Sequence, residues 1–171
     1  MVIGIDIDDT LVSSSESFDE VLKKYNVDLK KKFKDTWTDE EKKLIFNNYL
    51  EETLVNAKIK DDAKEVLDYL NNLGCKIVVI TARNNGHCKN IEEFTIKFMK
   101  KEKIKIAKFY FGEFRKSDLA KEINLDLMID DSNYVYNNMK KENIDCILFG
   151  DKIKTWKEVL EYVKEKEVKN G

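Results

Sequence analysis

The hydrophobic pattern of this chain switches repeatedly between a strand-like run and a helical repeat. Residues 2–7 open it with Val2, Ile3, Ile5 and Ile7, a β-branched run that predicts a buried strand. A polar stretch follows, in which Ser13, Ser14 and Ser15 offer N-caps for a helix over residues 16–25. Phe18, Val21, Leu22 and Tyr25 give that helix one apolar face. Thr38 and Glu41 have capping-box spacing and open a second predicted helix toward Leu54, with Leu44, Ile45 and Tyr49 inward. A third helix starts at Asp61, buries Ala63, Val66, Leu67 and Leu70, and stops at Gly74.

From there the alternation is regular. Residues 76–80 carry the apolar run IVVI and predict a second buried strand. A helix over 91–99 follows, with Ile91, Phe94, Thr95 and Phe98 on one side, then a short strand at 108–111. Ser117 caps a short helix, residues 127–129 form a fourth strand, 133–142 a helix, 146–149 a fifth strand and 155–168 an amphipathic helix. No internal repeat and no low-complexity linker interrupts the series.

Strands separated by helices predict an α/β fold, a three-layer Rossmann-like parallel sheet covered on both faces. One spacing departs from it. A crossover needs only about a dozen residues, and the stretch from Thr10 to Lys76 is several times longer. The excess, residues 15–59, reads as a small α-helical cap inserted after strand one, leaving 1–14 and 60–171 as the core. In such sheets ligands bind outside the carboxyl ends of the strands, so the cap would overhang the binding site.

Composition narrows the partners. The 171 residues suit one domain with an insertion, and a 42% apolar share supports a sizeable core. The charged share is 37% but nearly balanced at net −2, so no nucleic-acid partner is expected. Lysine runs at 30–32 and 97–103 read as solvated helix faces. No run approaches the ~20 apolar residues of a membrane span, and the chain opens in a strand rather than a leader. The 3 cysteines, Cys75, Cys88 and Cys146, lack metal-type spacing and suggest a reduced, cytoplasmic setting.

The unusual polar residues collect at the predicted strand ends. Asp6, Asp8 and Asp9 follow strand one, and strand periodicity starts Asp6 and Asp8 on the same side. Thr81, Ala82 and Arg83 follow strand two and lead into a polar loop containing His87, while Asp130 and Asp131 follow strand four. Three acids at the end of a core strand are costly unless a cation or a proton offsets them, which favours a Mg²⁺ site with an Asp nucleophile.

Asp6-x-Asp8-x-Thr10, then Thr81, Lys116 and the Asp130-Asp131 pair, in that order, resembles the four motifs of the haloacid dehalogenase superfamily of phosphohydrolases. The resemblance covers the whole chain. It implies that Asp6 attacks phosphorus and that Asp8 is the general acid and base. It implies Mg²⁺ held by Asp6, the Asp8 carbonyl and Asp131, with Asp130 orienting a metal-bound water or Lys116. Thr81 and Lys116 would hold the phosphoryl oxygens, Ala82 and Arg83 would face the substrate, and Thr10 would support the turn that aims Asp8. Lys121 rivals Lys116, which is preferred because it precedes the helix that contains Lys121. Asp9 stands where many members carry Gly.

Within that superfamily, IDIDDTL, VITAR, IDDS and Trp156 most resemble the deoxyribonucleotidase branch, the cytosolic type C nucleotidases. That implies a nucleoside monophosphate substrate, with Phe18, Trp37 and Tyr49 as aromatic surface in the cap. A phosphatase of sugar or other small-metabolite phosphates is the alternative. A phosphoacceptor or binding domain shares the sheet, acids, Thr and Lys, but the acid two residues beyond Asp6 and the long insertion favour turnover.

Overall fold

The computed structural model describes residues 1–25, 38, 50–86 and 88–170. The elements are β1 (Val2–Ile5), α1 (Ser14–Lys24), α2 (Leu50–Asn56), α3 (Ala63–Asn72), β2 (Lys76–Ile80), α4 (Ile91–Lys101), β3 (Lys108–Tyr110), α5 (Lys116–Glu122), β4 (Leu127–Asp130), α6 (Asn133–Lys141), β5 (Cys146–Leu148) and α7 (Trp156–Asn170). The 5 strands form one parallel sheet in the order β3-β2-β1-β4-β5. The chain therefore winds outward from β1 to β3, returns across the sheet, and winds outward again from β4. The reversal lies between β1 and β4, where a doubly wound sheet opens its binding crevice.

Side-chain parity divides the core. Ile3 and Ile5 of β1, Ile77 and Val79 of β2, and Leu127 and Ile129 of β4 pack with residues of α3, α4 and α7, including Leu67, Met99 and Trp156. Val78, Ile80 and Met128 point the other way, onto Leu119 and Ala120 of α5 and Val135 and Met139 of α6. Burial on both faces explains why these strands read as continuous apolar runs. Gly4 lies on the α5 side, where a Cβ would come within 2.9 Å of Met128 Sδ and 3.0 Å of both Ile80 Cδ1 and Leu125 Cδ2.

Most predicted elements match within about two residues, and the deviations have physical causes. Pairing of β1 with β2 ends at Ile5, and after one more amide bond to β4 the chain turns, with Leu11 and Val12 amides donating to the Ile7 carbonyl at 2.9 and 3.0 Å. Period-two alternation therefore does not extend to Asp8. On α1, Val21 and Leu22 are buried as expected, but Tyr25 is 44% exposed and its hydroxyl donates to Glu52 at 2.8 Å. On α4 the buried stripe is Ile91, Thr95 and Met99, and Phe94 stacks on Phe98 beside it with centroids 6.1 Å apart. Gly74 ends α3 at φ 85°, a backbone shape that glycine adopts without strain.

The chain runs out after Leu11 and comes back at Lys58 side by side. The Ser13 amide donates to the Lys58 carbonyl and the Lys60 amide to the Leu11 carbonyl, each at 2.9 Å, around an antiparallel bridge from Val12 to Ile59. Beyond this neck α1 and α2 pack on each other: the Ser17 hydroxyl donates to the Thr53 carbonyl at 2.7 Å, and Lys24 pairs with Glu52 at 2.6 Å. The expected residues Glu41, Leu44, Ile45, Tyr49 and Trp37 lie outside the described residues, as does His87. Among the described residues, no helix is long and apolar enough to cross a membrane.

Candidate active site

The register of β1 on β4 assembles the acids. Ile5 pairs with Ile129, and the Asp6 amide extends that ladder by donating to the Ile129 carbonyl at 3.0 Å, which sets Asp6 beside Asp130. Parity turns both carboxylates toward α5. Lys116 opens α5 and fills the gap, with Nζ 2.5 Å from Asp6 Oδ1 and 2.7 Å from Asp130 Oδ2. All three side chains are almost wholly buried. Lys121 lies on the other side of the helix, exposed and paired with Glu142 at 2.9 Å, so the chain brings Lys116 and not Lys121 to the acids.

Asp130 uses both oxygens, since its Oδ1 accepts the Ser132 amide at 2.9 Å. Asp131 extends to the outer side of the cluster, where Thr10 Oγ1 donates to it at 3.3 Å. Thr10 is itself buried, and its carbonyl accepts Trp156 Nε1 at 3.1 Å, so α7 braces the turn after β1. Oxygens from Asp6, Asp130 and Asp131 lie within 4.8 Å of one another. Carboxylate donors gathered this closely fit a divalent cation that takes oxygen ligands.

Electrostatics supports that fit. Burial, followed by the nearby charges of Asp130 and Asp8, pushes the Asp6 carboxyl up to about 7 against the pull of Lys116. Desolvation, then Asp130 and Asp9, pushes Asp131 up to about 6. For Lys116 burial works against the charge, yet the Asp6 and Asp130 carboxylates outweigh it and hold the ammonium above its ordinary value. The cluster thus holds more negative charge than one lysine offsets, and it favours protons or a cation.

Asp8 and Asp9 diverge from this cluster. Asp9 sits at φ 59°, in the left-handed region, which accounts for glycine being an acceptable residue there. Its carboxylate accepts the Ser15 amide at 2.7 Å and the Ser15 hydroxyl at 2.5 Å, so Asp9 caps α1, whereas Ser13 makes no side-chain cap bond. Asp8 Oδ1 accepts the Ser14 hydroxyl. Arg83 then clasps Asp8 side-on, Nε to Oδ2 at 2.9 Å and Nη2 to Oδ1 at 2.6 Å. The sequence offers no local signal for this pairing, because Arg83 stands 75 residues away.

Thr81 is buried at the end of β2, and its Oγ1 accepts the Arg83 amide at 3.2 Å. Ala82 is exposed in the same turn. The loop after β3 braces that turn, since the Gly112 amide donates to the Arg83 carbonyl and the Glu113 amide to the Thr81 carbonyl, both at 2.9 Å.

This topology, an α/β fold with one parallel sheet between helical layers, is shared by solved haloacid dehalogenase-like hydrolases. No family model matches the chain, and no curated protein matches it in sequence. Solved structures do. A haloacid dehalogenase-like family hydrolase from Streptococcus pneumoniae superposes with TM-score 0.63 at 16% identity, over 95% of this chain and 97% of that one. A predicted phosphatase from Clostridium acetobutylicum gives 0.64 at 17% identity, over 96% and 98%. A candidate β-phosphoglucomutase from Thermotoga maritima gives 0.59 at 14% identity, over 96% and 98%.

Proposed function

We propose that this chain is a phosphomonoesterase that works through an aspartyl-phosphate on Asp6. The observation that carries the reading is the buried Lys116 ammonium joining Asp6 to Asp130, with Asp131 alongside, at the switch point of a haloacid dehalogenase-like sheet. An Asp6 oxygen attacks phosphorus in line as the bond to the leaving oxygen breaks, and Asp8 gives that oxygen a proton. Asp8 then takes a proton from water, whose oxygen attacks phosphorus and releases Asp6. Lys116 and Thr81 hold the equatorial phosphoryl oxygens, and Lys116 opposes the charge that spreads over them. Asp6, Asp130, Asp131 and the Asp8 carbonyl would hold Mg²⁺, which when bound offsets the charge shared by the acids and the phosphate.

Residues 15–59 serve in this reading as a cap that excludes water and reads the leaving group. The leaving group we favour is a nucleoside, on the strength of the motif resemblance to deoxyribonucleotidases. A sugar phosphate is the second reading, favoured by the likeness to the Thermotoga structure. The test is a Mg²⁺-supplemented panel of nucleoside, sugar and glycerol phosphates, run on the protein and on Asp6→Asn. Nucleotides should lead in kcat/KM, and Asp6→Asn should be inactive on every ester. If sugar phosphates lead, the nucleotide assignment fails while the chemistry stands. Unchanged turnover by Asp6→Asn, or after complete chelation, overturns the chemistry.

A further inference from the structure

Asp8 lies not on a strand but on the turn that follows β1, so something outside the local backbone must fix where its carboxylate points. We infer that Arg83 is the positioning residue for Asp8, holding the plane of its carboxylate from the rigid core. This rests on the reading of Asp8 as the group that protonates the leaving oxygen.

Three observations carry it. The contact is a side-on fork in which Nε and Nη2 take separate oxygens at 2.9 and 2.6 Å, and two parallel bonds define an orientation as well as a distance. Arg83 is only 8% exposed, and its guanidinium is tied at its third nitrogen, Nη1 donating at 3.1 Å to Oγ1 of Thr95, a fully buried residue in the middle of α4. The Arg83 backbone is clamped too, its amide on Thr81 Oγ1 and its carbonyl on the Gly112 amide. The arginine is therefore fixed by β2, the β3 loop and α4 together. A further restraint on Asp8 comes from Ser14, the first residue of α1, whose hydroxyl donates to its carboxylate. An arginine with three nitrogens committed in this way is placed to aim a neighbour, not to receive the phosphate.

The inference separates Arg83 from a phosphate-binding role by its effect on leaving groups. A p-nitrophenolate departs with little help from a proton, whereas an alkoxide needs one. Arg83→Lys keeps the charge and removes the fork. It should lower kcat/KM on an alkyl phosphate about 10- to 100-fold, the scale of loss for a misaimed catalytic group. The readout is kcat/KM because it reports formation of the aspartyl-phosphate, where the leaving groups differ, whereas kcat also contains the hydrolysis that Asp8 assists for both esters. On p-nitrophenyl phosphate the loss in kcat/KM should stay within about 3-fold, with inhibition by inorganic phosphate nearly unchanged. Asp8→Asn should show the same contrast more strongly, and adding Arg83→Lys to it should cost little more, because both act through one group. Thr95→Val, which removes only the anchor, should shift the ratio of the two kcat/KM values in the same direction by a smaller factor and provides the test if Arg83→Lys does not fold. Equal losses on both esters with a lowered melting temperature would mean a merely structural ion pair and would overturn the inference. So would a raised KM and weakened phosphate inhibition at an unchanged ratio, which would make Arg83 a phosphate ligand. If Asp8→Asn itself lacks the contrast, the assigned role of Asp8 falls and the inference with it, an outcome the Asp8 variant alone identifies.

Discussion

Lys116 is the residue whose loss should be felt most. Its ammonium separates two buried carboxylates that would otherwise face each other. Removing one partner of a buried ion pair leaves an uncompensated charge, at a cost of about 3–5 kcal/mol. Lys116→Ala should therefore unfold at markedly lower urea at neutral pH, and saturating Mg²⁺ should recover part of the loss. The acids themselves make a second prediction, about pH. An acid whose native pKa lies above its ordinary value binds more protons folded than unfolded. Its contribution is full below that ordinary value and is lost as pH rises through the native one. Asp6 and Asp131 move from 3.8 to about 7 and about 6, so the window is the range between. Carboxylates held below their ordinary values, such as Asp145 beside Lys166 and Tyr162, act only at lower pH. The metal-free protein should thus melt at a lower temperature at about pH 8 than at about pH 5.5, and Mg²⁺, which needs the carboxylates deprotonated, should raise Tm more at the higher pH. A melting profile that rises across this window in the metal-free protein would contradict the crowding of the site.

At the scale of elements, the sheet and its close approaches set the constraints. Gly4→Ala would press a methyl against Met128, Ile80 and Leu125 and should destabilise by about 1–3 kcal/mol, read from denaturant unfolding. Trp156→Phe removes the donor to the Thr10 carbonyl and should cost about 1 kcal/mol or more while loosening the turn that carries Asp8, so kcat should fall along with stability. The strands were legible from sequence because burial on both faces left apolar runs such as IVVI, and the reversal of winding placed their polar ends together. That Lys116 and not Lys121 lies against the acids was legible as well, since a helix start after a strand faces the crevice and a position in the last turn does not. What stayed hidden depended on contacts distant in sequence or on backbone shape. The pairing of Arg83 with Asp8 stayed hidden because nothing local marks either residue as the other's partner. The serine run read as a set of caps because the left-handed turn at Asp9, which lets that acid do the capping, leaves no periodic trace.

For the molecule as a whole, the neck at Leu11–Ser13 and Lys58–Lys60 has a consequence for what the chain can tolerate. Its two passages are pinned together by the core's own edge, so whatever runs between them begins and ends at nearly the same place. Among the described residues, neither core cluster contains a side chain from α1 or α2; Val21, Leu22 and Leu54 are buried apart from both. The thermodynamic cost of lengthening a closed loop grows only with the logarithm of its length, about 0.6 kcal/mol per doubling. The stretch between the two passages should therefore tolerate exchange. A short Gly-Ser bridge in place of residues 16–55 should leave a cooperatively folding sheet, checked by circular dichroism and thermal melting, that still carries Asp6, Asp8, Lys116 and Asp131. Segments of other lengths and chemistries spliced at the same two points should likewise leave the sheet and its acids in place, a tolerance that the melting temperatures of such chimaeras would measure.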